Sequence, residues 1–357
     1  MRANRSRADL IVATLSGAWR RPPFPPLDVT EKELDEVTPL LYTSWAAALA
    51  WWRVRHTKLA NSASGDVLRQ AYHLNSVQAM MHEENIKKVF RLLREASIEA
   101  VLVKGWAAAA LYPSPPLRPY GDLDICVSAS DFKAARELLR GPEVSDCLVD
   151  LHQRFSELDD RSLPELFARA RRVRLGNEQI QILCPEDHLA LLALHLLKHG
   201  AWRPLWLCDI SAAIESLPAE FDWNMCLGTN QTRANWIICA LGLTNRLLGA
   251  SIDSLPLASE ARRLPPWLVA NVRKHWANLF PGDHLPIKAP PLMVTNLRSP
   301  RNLLRGLRER WPDPITATYN LNGQFNRLPR PPYQLAEFAS RAAQFLWRLP
   351  GTAQTER

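Results

Sequence analysis

Residues 101–127 read VLVKGWAAAALYPSPPLRPYGDLDICV, and near the end of this stretch a single leucine separates Asp122 from Asp124. On a β-strand two such carboxylates point to the same side, because side-chain direction repeats every second residue. Carboxylates this close repel each other, and burying either of them without a partner is unfavourable. The pair therefore predicts a divalent cation held between oxygen ligands, which Mg²⁺ prefers.

The residues upstream of this pair predict a phosphate-binding turn. Residues 100–103 are apolar and predict a strand, Lys104 and Gly105 follow, and the Ala-rich run 106–111 predicts a helix. A strand that turns through glycine into a helix offers unpaired backbone N–H groups and a favourable dipole to phosphate. We therefore expect a phosphate site one connection away from the metal site.

A third carboxylate lies on another predicted strand. Residues 147–152, CLVDLH, alternate apolar and polar side chains, so Asp150 and His152 share one face of that strand. Strand pairing could place Asp150 beside Asp122 and Asp124. His152 could act as a base or a ligand, but next to an acid we expect a supporting role, in which it hydrogen-bonds a neighbour and holds it in place.

Together these motifs resemble the nucleotidyltransferases of the DNA polymerase beta-like superfamily. Members carry a glycine after the first strand, an Asp-x-Asp or Asp-x-Glu on the next, and a lone Asp on a third. The likeness covers residues 80–215 and is to a largely uncharacterised bacterial branch with Lys-Gly, Tyr-Pro, Arg, Gly-Asp-x-Asp and Asp-x-His motifs. Those motifs stand here at 104–105, 112–113, 118, 121–124 and 150–152, with further similarity at 185–200 and 206–209.

The resemblance implies a mechanism and roles for individual residues. Asp122 and Asp124 would hold two metal ions, Mg²⁺ or Mn²⁺, that bridge a nucleoside triphosphate. Asp150 would complete one metal site and orient or deprotonate the attacking hydroxyl. Lys104 and Arg118 would bind triphosphate oxygens. The other candidates for nucleotide binding are Gly105, Trp106, Gly121, Lys198 and His199.

Several of these residues also have a purely structural interpretation. Lys104 could be a solvated strand end, and Arg118, in a stiff Pro-rich loop, could pair with an acid. Trp106 stands where the branch usually has a small residue, often Ser or Gly. A tryptophan at this position still offers backbone contacts to phosphate, but it cannot supply a hydroxyl contact. His195 and His199 lie four residues apart in an apolar helix and are interpreted as packing residues, although Lys198 and His199 could reach a triphosphate.

Composition and charge limit the remaining possibilities. The 357 residues exceed what one core comfortably holds, and the net charge is +8. Residues 297–357 contain ten arginines against four acids, a basic tail that could contact RNA but matches no RNA-binding module. Six cysteines without metal-ligand spacing predict reduced thiols in a cytoplasmic protein. No apolar run reaches the ~18 to 20 residues that span a bilayer, so no membrane association is expected.

We expect an α+β protein, with a small mixed β-sheet nucleotidyltransferase core between N- and C-terminal helical additions. The domains would be an N-terminal helical region (1–80), the catalytic core (81–185), a C-terminal helical domain that walls the site (186–280), and a Pro/Arg-rich arm with a terminal helix (281–357). Smaller elements expected are an amphipathic helix in 1–20, a capping box at Thr30 and Glu33, a hairpin in 171–183, an irregular arm over 281–332, and helices at 78–96, 130–139, 187–199, 204–216, 235–248 and 333–349.

The expected activity is transfer of a nucleoside monophosphate from a nucleoside triphosphate to a hydroxyl of a small molecule, peptide or protein, with release of pyrophosphate. Two alternatives stay open. One is transfer to an RNA end, such as that of transfer RNA, which depends on the basic tail. The other is a weakly active nucleotide-binding or scaffolding protein with the same fold. Kinase-like chemistry is not favoured, because the sequence lacks a Gly-rich loop.

Overall fold

The computed structural model describes residues 5–278 and 310–348, the last four of these by their backbone alone. The strands are β1 (Ala100–Leu102), β2 (Leu123–Val127), β3 (Val149–His152), β4 (Arg171–Leu175) and β5 (Glu178–Ile182). The helices are α1 (Arg7–Leu15), α2 (Glu31–Thr43), α3 (Ala47–Val54), α4 (Ala63–Glu95), α5 (Trp106–Ala109), α6 (Phe132–Leu138), α7 (Leu163–Ala168), α8 (Pro185–Lys198), α9 (Pro204–Ile214), α10 (Trp223–Leu227), α11 (Gln231–Leu243), α12 (Ala258–Ala261), α13 (Pro266–Trp276), α14 (Pro314–Asn320) and α15 (Pro331–Arg348).

The five strands form one mixed sheet in the order β3-β2-β1-β5-β4. The pairs β2–β3 and β1–β5 are parallel, whereas β1–β2 and β4–β5 are antiparallel. Helices precede and follow this sheet along the chain, so the expected α+β architecture with a small mixed sheet and helical additions is confirmed. The β2–β3 register pairs Asp124 with Asp150, which decides the geometry of the candidate site.

The two faces of the sheet belong to different hydrophobic cores. One face, with Leu102 and Ile125, packs against the C-terminal half of α4. The other face, with Val101 and Cys126, packs into a larger core made by helices from both ends of the chain. Asp124 and Cys126 are two residues apart on β2 and share a face, so Asp124 points toward the helical additions.

Helix α4 connects the two cores. The sequence predicted a helix at 78–96, and the structure extends it back to Ala63, where the Ser62 hydroxyl accepts a hydrogen bond from the Gly65 N–H at 3.0 Å. Its N-terminal half buries Leu68 in the helical core, and its C-terminal half buries Phe90 against the sheet. The helix runs through position 80, where we expected a boundary; the four domain ranges stay predictions.

The local sequence signals hold for most of the predicted elements. The hairpin turns at Gly176, whose φ of +60° suits glycine. The Thr30 and Glu33 capping box is present, and the helices expected near 130–139, 187–199, 204–216, 235–248 and 333–349 are found within the described chain. Helix α5 is shorter than predicted, a single turn, because Pro113, Pro115 and Pro116 follow and cannot continue a helix.

The prediction of an irregular arm over 281–332 was wrong at one place: residues 310–313 and 321–330 are irregular as expected, but a helix lies between them. Residues 281–309 lie outside the described chain, and 314–320 form α14. Asp313 caps this helix by accepting hydrogen bonds from the N–H groups of Ile315 and Thr316 at 2.9 and 3.0 Å. Pro314 is the first residue of the helix, where its missing N–H is harmless. A proline that we interpreted as a break in regular structure therefore begins a helix.

Two further expectations concern the cysteines and the membrane. All six cysteines are free and buried, as predicted for core thiols. Across residues 5–278 and 310–348, no helix combines the length and the apolar character that crossing a bilayer requires.

Candidate metal centre and active site

Asp124, Asp150 and His152 form a compact group of potential metal ligands. Parallel pairing of β2 and β3 places Asp124 opposite Asp150, and His152 is two residues further along the same face. One ligand atom from each residue lies within 4.8 Å of the others, and His152 Nε2 is 3.2 Å from both Asp124 Oδ1 and Asp150 Oδ2. Two carboxylates and an imidazole fit a divalent metal ion. Within the described part of the chain, no other group of three His, Cys, Asp or Glu residues has this spacing.

Asp122 lies just before β2, outside this close group but within its electrostatic field. Partial burial raises its pKa, and the negative charges of Asp124 and Asp150 raise it further, while Lys104 opposes them. The three predicted acids therefore interact with one another. In the closest set His152 stands where we expected Asp122, so metal binding by Asp122 stays a prediction.

Lys104 is the cation of this cluster. Its Nζ donates a hydrogen bond to Asp124 Oδ1 at 3.1 Å. Burial would raise the pKa of Asp124, but the hydrogen bond from His152 and the charge of Lys104 outweigh it and hold the pKa below its usual range. Lys104 is thus paired with an acid of this cluster and is not a solvated strand end, and Asp124 is ionised at neutral pH.

The turn after β1 brings the backbone close to the acids. Gly105 has a φ of +57°, and a Cβ there would lie 3.1 Å from the Tyr120 ring and 3.4 Å from the Asp122 carbonyl oxygen. Only glycine fits this approach. The neighbouring Trp106 side chain is buried in the sheet core, and its indole N–H donates to Glu83 Oε1 at 3.3 Å. Only the backbone of Trp106 is therefore available to a phosphate.

Arg118 is engaged by an acid, the alternative that its sequence context left open. Its Nη2 and Nε lie 2.9 and 3.2 Å from Asp209 Oδ2, and the Tyr112 hydroxyl donates to Asp209 Oδ1 at 2.7 Å. Asp209 is fully buried at 0% exposure. The trio ties the loop before β2 to α9, and a contact between Arg118 and a triphosphate stays a prediction.

The C-terminal end of α8 lies beside the cluster and contacts a further carboxylate, Glu157, that sequence reasoning missed. Lys198 Nζ is 3.1 Å from Glu157 Oε1, and His195 Nδ1 is 3.4 Å from the same oxygen. Burial would raise the pKa of Glu157, but His195, Lys198 and Lys104 hold it well below its usual range. Glu157 belongs to a short 3₁₀ turn without a motif, so no sequence signal identifies it.

His199 packs against neighbouring aromatic rings. Its ring lies 4.5 Å from the ring of His195 and 5.3 Å from that of Trp206, centroid to centroid. Burial, together with the charges of His195 and Lys198, lowers the pKa of His199 to about 3. Contacts of Lys198 and His199 with a nucleotide stay predictions.

Helix α4 forms another side of the candidate site, which the sequence analysis did not predict. The His82 ring stacks on Tyr120 with centroids 4.7 Å apart. Burial lowers the pKa of His82, and the charge of Asp122 acts in the opposite direction. The site is therefore bounded by the sheet, by α4 and by the end of α8.

Comparison with known proteins agrees with this geometry. The sequence model of a family described as uncharacterised nucleotidyltransferase matches residues 30–249, which include the whole sheet and every residue of the cluster. No curated protein and no solved structure is significantly similar to the chain. The particular bacterial branch that we expected stays a prediction. The match covers more than half of the chain, and the chain therefore belongs to this uncharacterised nucleotidyltransferase family.

Proposed function

We propose that the protein transfers a nucleoside monophosphate from a nucleoside triphosphate to a hydroxyl of a small molecule, peptide or protein, with Mg²⁺ or Mn²⁺ as cofactor. The observation that carries the proposal is the convergence of Asp124, Asp150 and His152 beside the Gly105 turn in a member of a nucleotidyltransferase family. Asp122, two residues before Asp124 in the sequence, is the third acid of the set, and its pKa is raised by partial burial and by the charges of Asp124 and Asp150.

The donor set suits a hard divalent ion, since carboxylate oxygens from Asp124, Asp150 and Asp122 predominate. Bound there, the ion would offset negative charge on the triphosphate during an in-line displacement. The protein's own part is to position this charge. Lys104 and the backbone at Gly105 and Gly121 lie next to the acids, where they can bind phosphate oxygens.

Asp150 is the best-placed general base. Its side chain is 57% exposed and has His152 3.2 Å away, whereas Asp124 is 9% exposed and engaged by Lys104. In the proposed reaction the acceptor oxygen attacks the α-phosphorus and its proton passes to the Asp150 carboxylate. The bond from the α-phosphorus to the bridging oxygen breaks, and pyrophosphate leaves with that electron pair.

The test is a transfer assay with α-labelled nucleoside triphosphates and Mg²⁺, with and without candidate acceptors. We expect label transfer and pyrophosphate release that a metal chelator abolishes, and loss of both in Asp150→Asn. Asp146→Asn is the matched control, because this acid lies four residues earlier and pairs with Lys88, 3.4 Å away, outside the cluster. Transfer that persists in Asp150→Asn and in Asp124→Asn would disprove the assignment.

The same assay distinguishes the alternatives. A scaffolding protein would bind nucleotide without releasing pyrophosphate, and an RNA-directed enzyme would label added transfer RNA. The described part of the basic tail gives the RNA alternative little support. Arg330 is buried and stacked on Trp267, 4.9 Å from the ring centroid, and Arg341 pairs with Glu337 at 2.8 Å.

A further inference from the structure

A second cation, Arg203, lies near the candidate site, and the described residues offer it no acidic partner. The guanidinium carbon of Arg203 is 4.4, 4.5 and 5.1 Å from the ring centroids of Trp45, Trp202 and Trp206. Its Nε is buried, and no described residue hydrogen-bonds or ion-pairs with this guanidinium. Cation–π contacts compensate only part of the lost hydration of an enclosed charge. An anion from outside the described chain would balance it.

The tryptophans connect this cation to the metal centre. A Cβ built on Gly121, next to Asp122, would lie 3.6 Å from Cη2 of Trp45. On the other side, the Trp206 ring lies 5.0 Å from that of His195, which contacts Glu157 beside Lys104. Arg203 and its tryptophans therefore border the same region as the acids, next to Gly121 through Trp45 and next to Glu157 through Trp206 and His195.

Trp45 has two properties typical of a ligand-binding residue. It is 37% exposed although it is a large apolar side chain. Its φ is +65°, a left-handed conformation that is strained for a bulky residue and is concentrated at functional sites.

The local field also favours an anion. Arg203 is the N-cap of the eleven-residue helix α9 and makes no side-chain capping bond, so the positive end of the helix dipole adds to its charge. The nearby Arg118 adds positive potential. Burial is the main cause that lowers the pKa of Arg203 to about 10, and the charge of Arg118 contributes further. The acid beside Arg118 is Asp209, whose oxygens are already engaged.

We propose that Arg203, with Trp45 and Trp206, forms an oxyanion subsite that binds a carboxylate or phosphate group of the acceptor. The acceptor would then be an anionic compound that carries a hydroxyl, with an apolar or planar part against the indole rings. The triphosphate is assigned to Lys104 and the Gly105 turn, which contact the acids directly. This identification of the acceptor rests on the proposed function, whereas anion binding at Arg203 does not.

The test measures quenching of tryptophan fluorescence by iodide, an anion, relative to neutral acrylamide. In the wild type, inorganic phosphate or acetate should protect against iodide more than chloride does. In Arg203→Gln the relative iodide quenching should fall, and the apparent dissociation constant of the protecting anion should rise by about tenfold or more. Arg203→Lys should retain part of the protection. Protection by phosphate alone or by acetate alone identifies the group that the acceptor carries.

Arg55→Gln is the matched control, because Arg55 also stacks on a tryptophan, 3.2 Å from the centroid of Trp52, with a buried Nε that lacks a described partner. It should leave the protection unchanged. Absence of protection in the wild type, or equal protection in Arg203→Gln, would overturn the proposal. Protection by α,β-methylene nucleotide analogues with Mg²⁺ that Arg203→Gln abolishes would overturn the acceptor assignment. If the nucleotide analogues fail to bind while phosphate or acetate still protects against iodide quenching, the result would contradict the proposed function but not anion binding at Arg203.

Discussion

Two buried aspartates, Asp209 and Asp124, show how the same chemistry serves packing in one place and a site in another. Asp209 is matched by the fork of Arg118 and by a hydroxyl from Tyr112. Asp124 has Lys104 at 3.1 Å, but it also feels the negative charges of its acidic neighbours. The first set is balanced and closed, whereas the second is an excess of negative charge open to solvent. An unbalanced cluster of this kind favours a cation from outside, and the proposed metal site depends on this imbalance.

The sharpest test of the unbalanced set is Asp124→Asn. We expect transfer activity to fall by about 1000-fold or more, because the charge that would hold the proposed metal and that pairs with Lys104 is lost. The free energy of unfolding should fall by only about 1 kcal/mol, because the lost pairing with Lys104 and His152 is partly offset by relief of repulsion from the neighbouring acids. Transfer rates and urea unfolding measure the two quantities. If Asp124→Asn strongly lowered the free energy of unfolding but kept the transfer activity, Asp124 would be a packing residue like Asp209.

For the balanced set, Asp209→Ala should lower the free energy of unfolding by about 3 to 5 kcal/mol, because it leaves the Arg118 guanidinium buried without a partner. Urea unfolding measures this loss. The control is Asp253→Ala, which removes an exposed acid paired with Arg262 and should change stability by less than about 1 kcal/mol. Equal effects of the two substitutions would mean that the buried trio contributes no more than a surface pair.

His188 gives the balanced region a pH dependence. It is buried near Asp209 and Arg118, and burial lowers its pKa from 6.5 to about 4. Because the folded-state pKa is depressed, stability is fully present above pH 6.5 and declines as the pH falls toward 4, by about 3 kcal/mol. His188→Gln should remove that part of the decline in urea unfolding at pH 7 and pH 4.5. The exposed His73, changed to Gln, should keep the wild-type slope.

The smallest expected effect is that of Tyr112→Phe. It removes the hydroxyl that donates to Asp209 but leaves the Arg118 fork in place, so we expect a loss of about 1 kcal/mol in unfolding free energy. Transfer activity should be unchanged. If activity fell as in Asp124→Asn while stability held, the trio would belong to the site after all.

Sequence reasoning was strongest where the signal is local. Alternation along 147–152 identified Asp150 and His152, and the β2–β3 pairing places them beside Asp124 as expected. It was weaker for partners far apart in sequence. The pairing of Arg118 with Asp209, 91 residues later, depends on how α9 packs and has no local signature. The same holds for Glu157, and for Arg203 with Trp45. Proline density at 312–314 was misinterpreted because a proline can begin a helix as well as prevent one.

Helix α4 has a consequence for how the protein unfolds and how it can be divided. At 1.5 Å per residue its 33 residues extend about 50 Å, and its two halves are each covered by a different core. A fragment that began or ended at residue 80 would strip half of this helix from whichever part retained it. The five-stranded sheet and the helical bundle therefore share helix α4 as a common element. Loss of either core should propagate to the other, so that unfolding is a single cooperative transition.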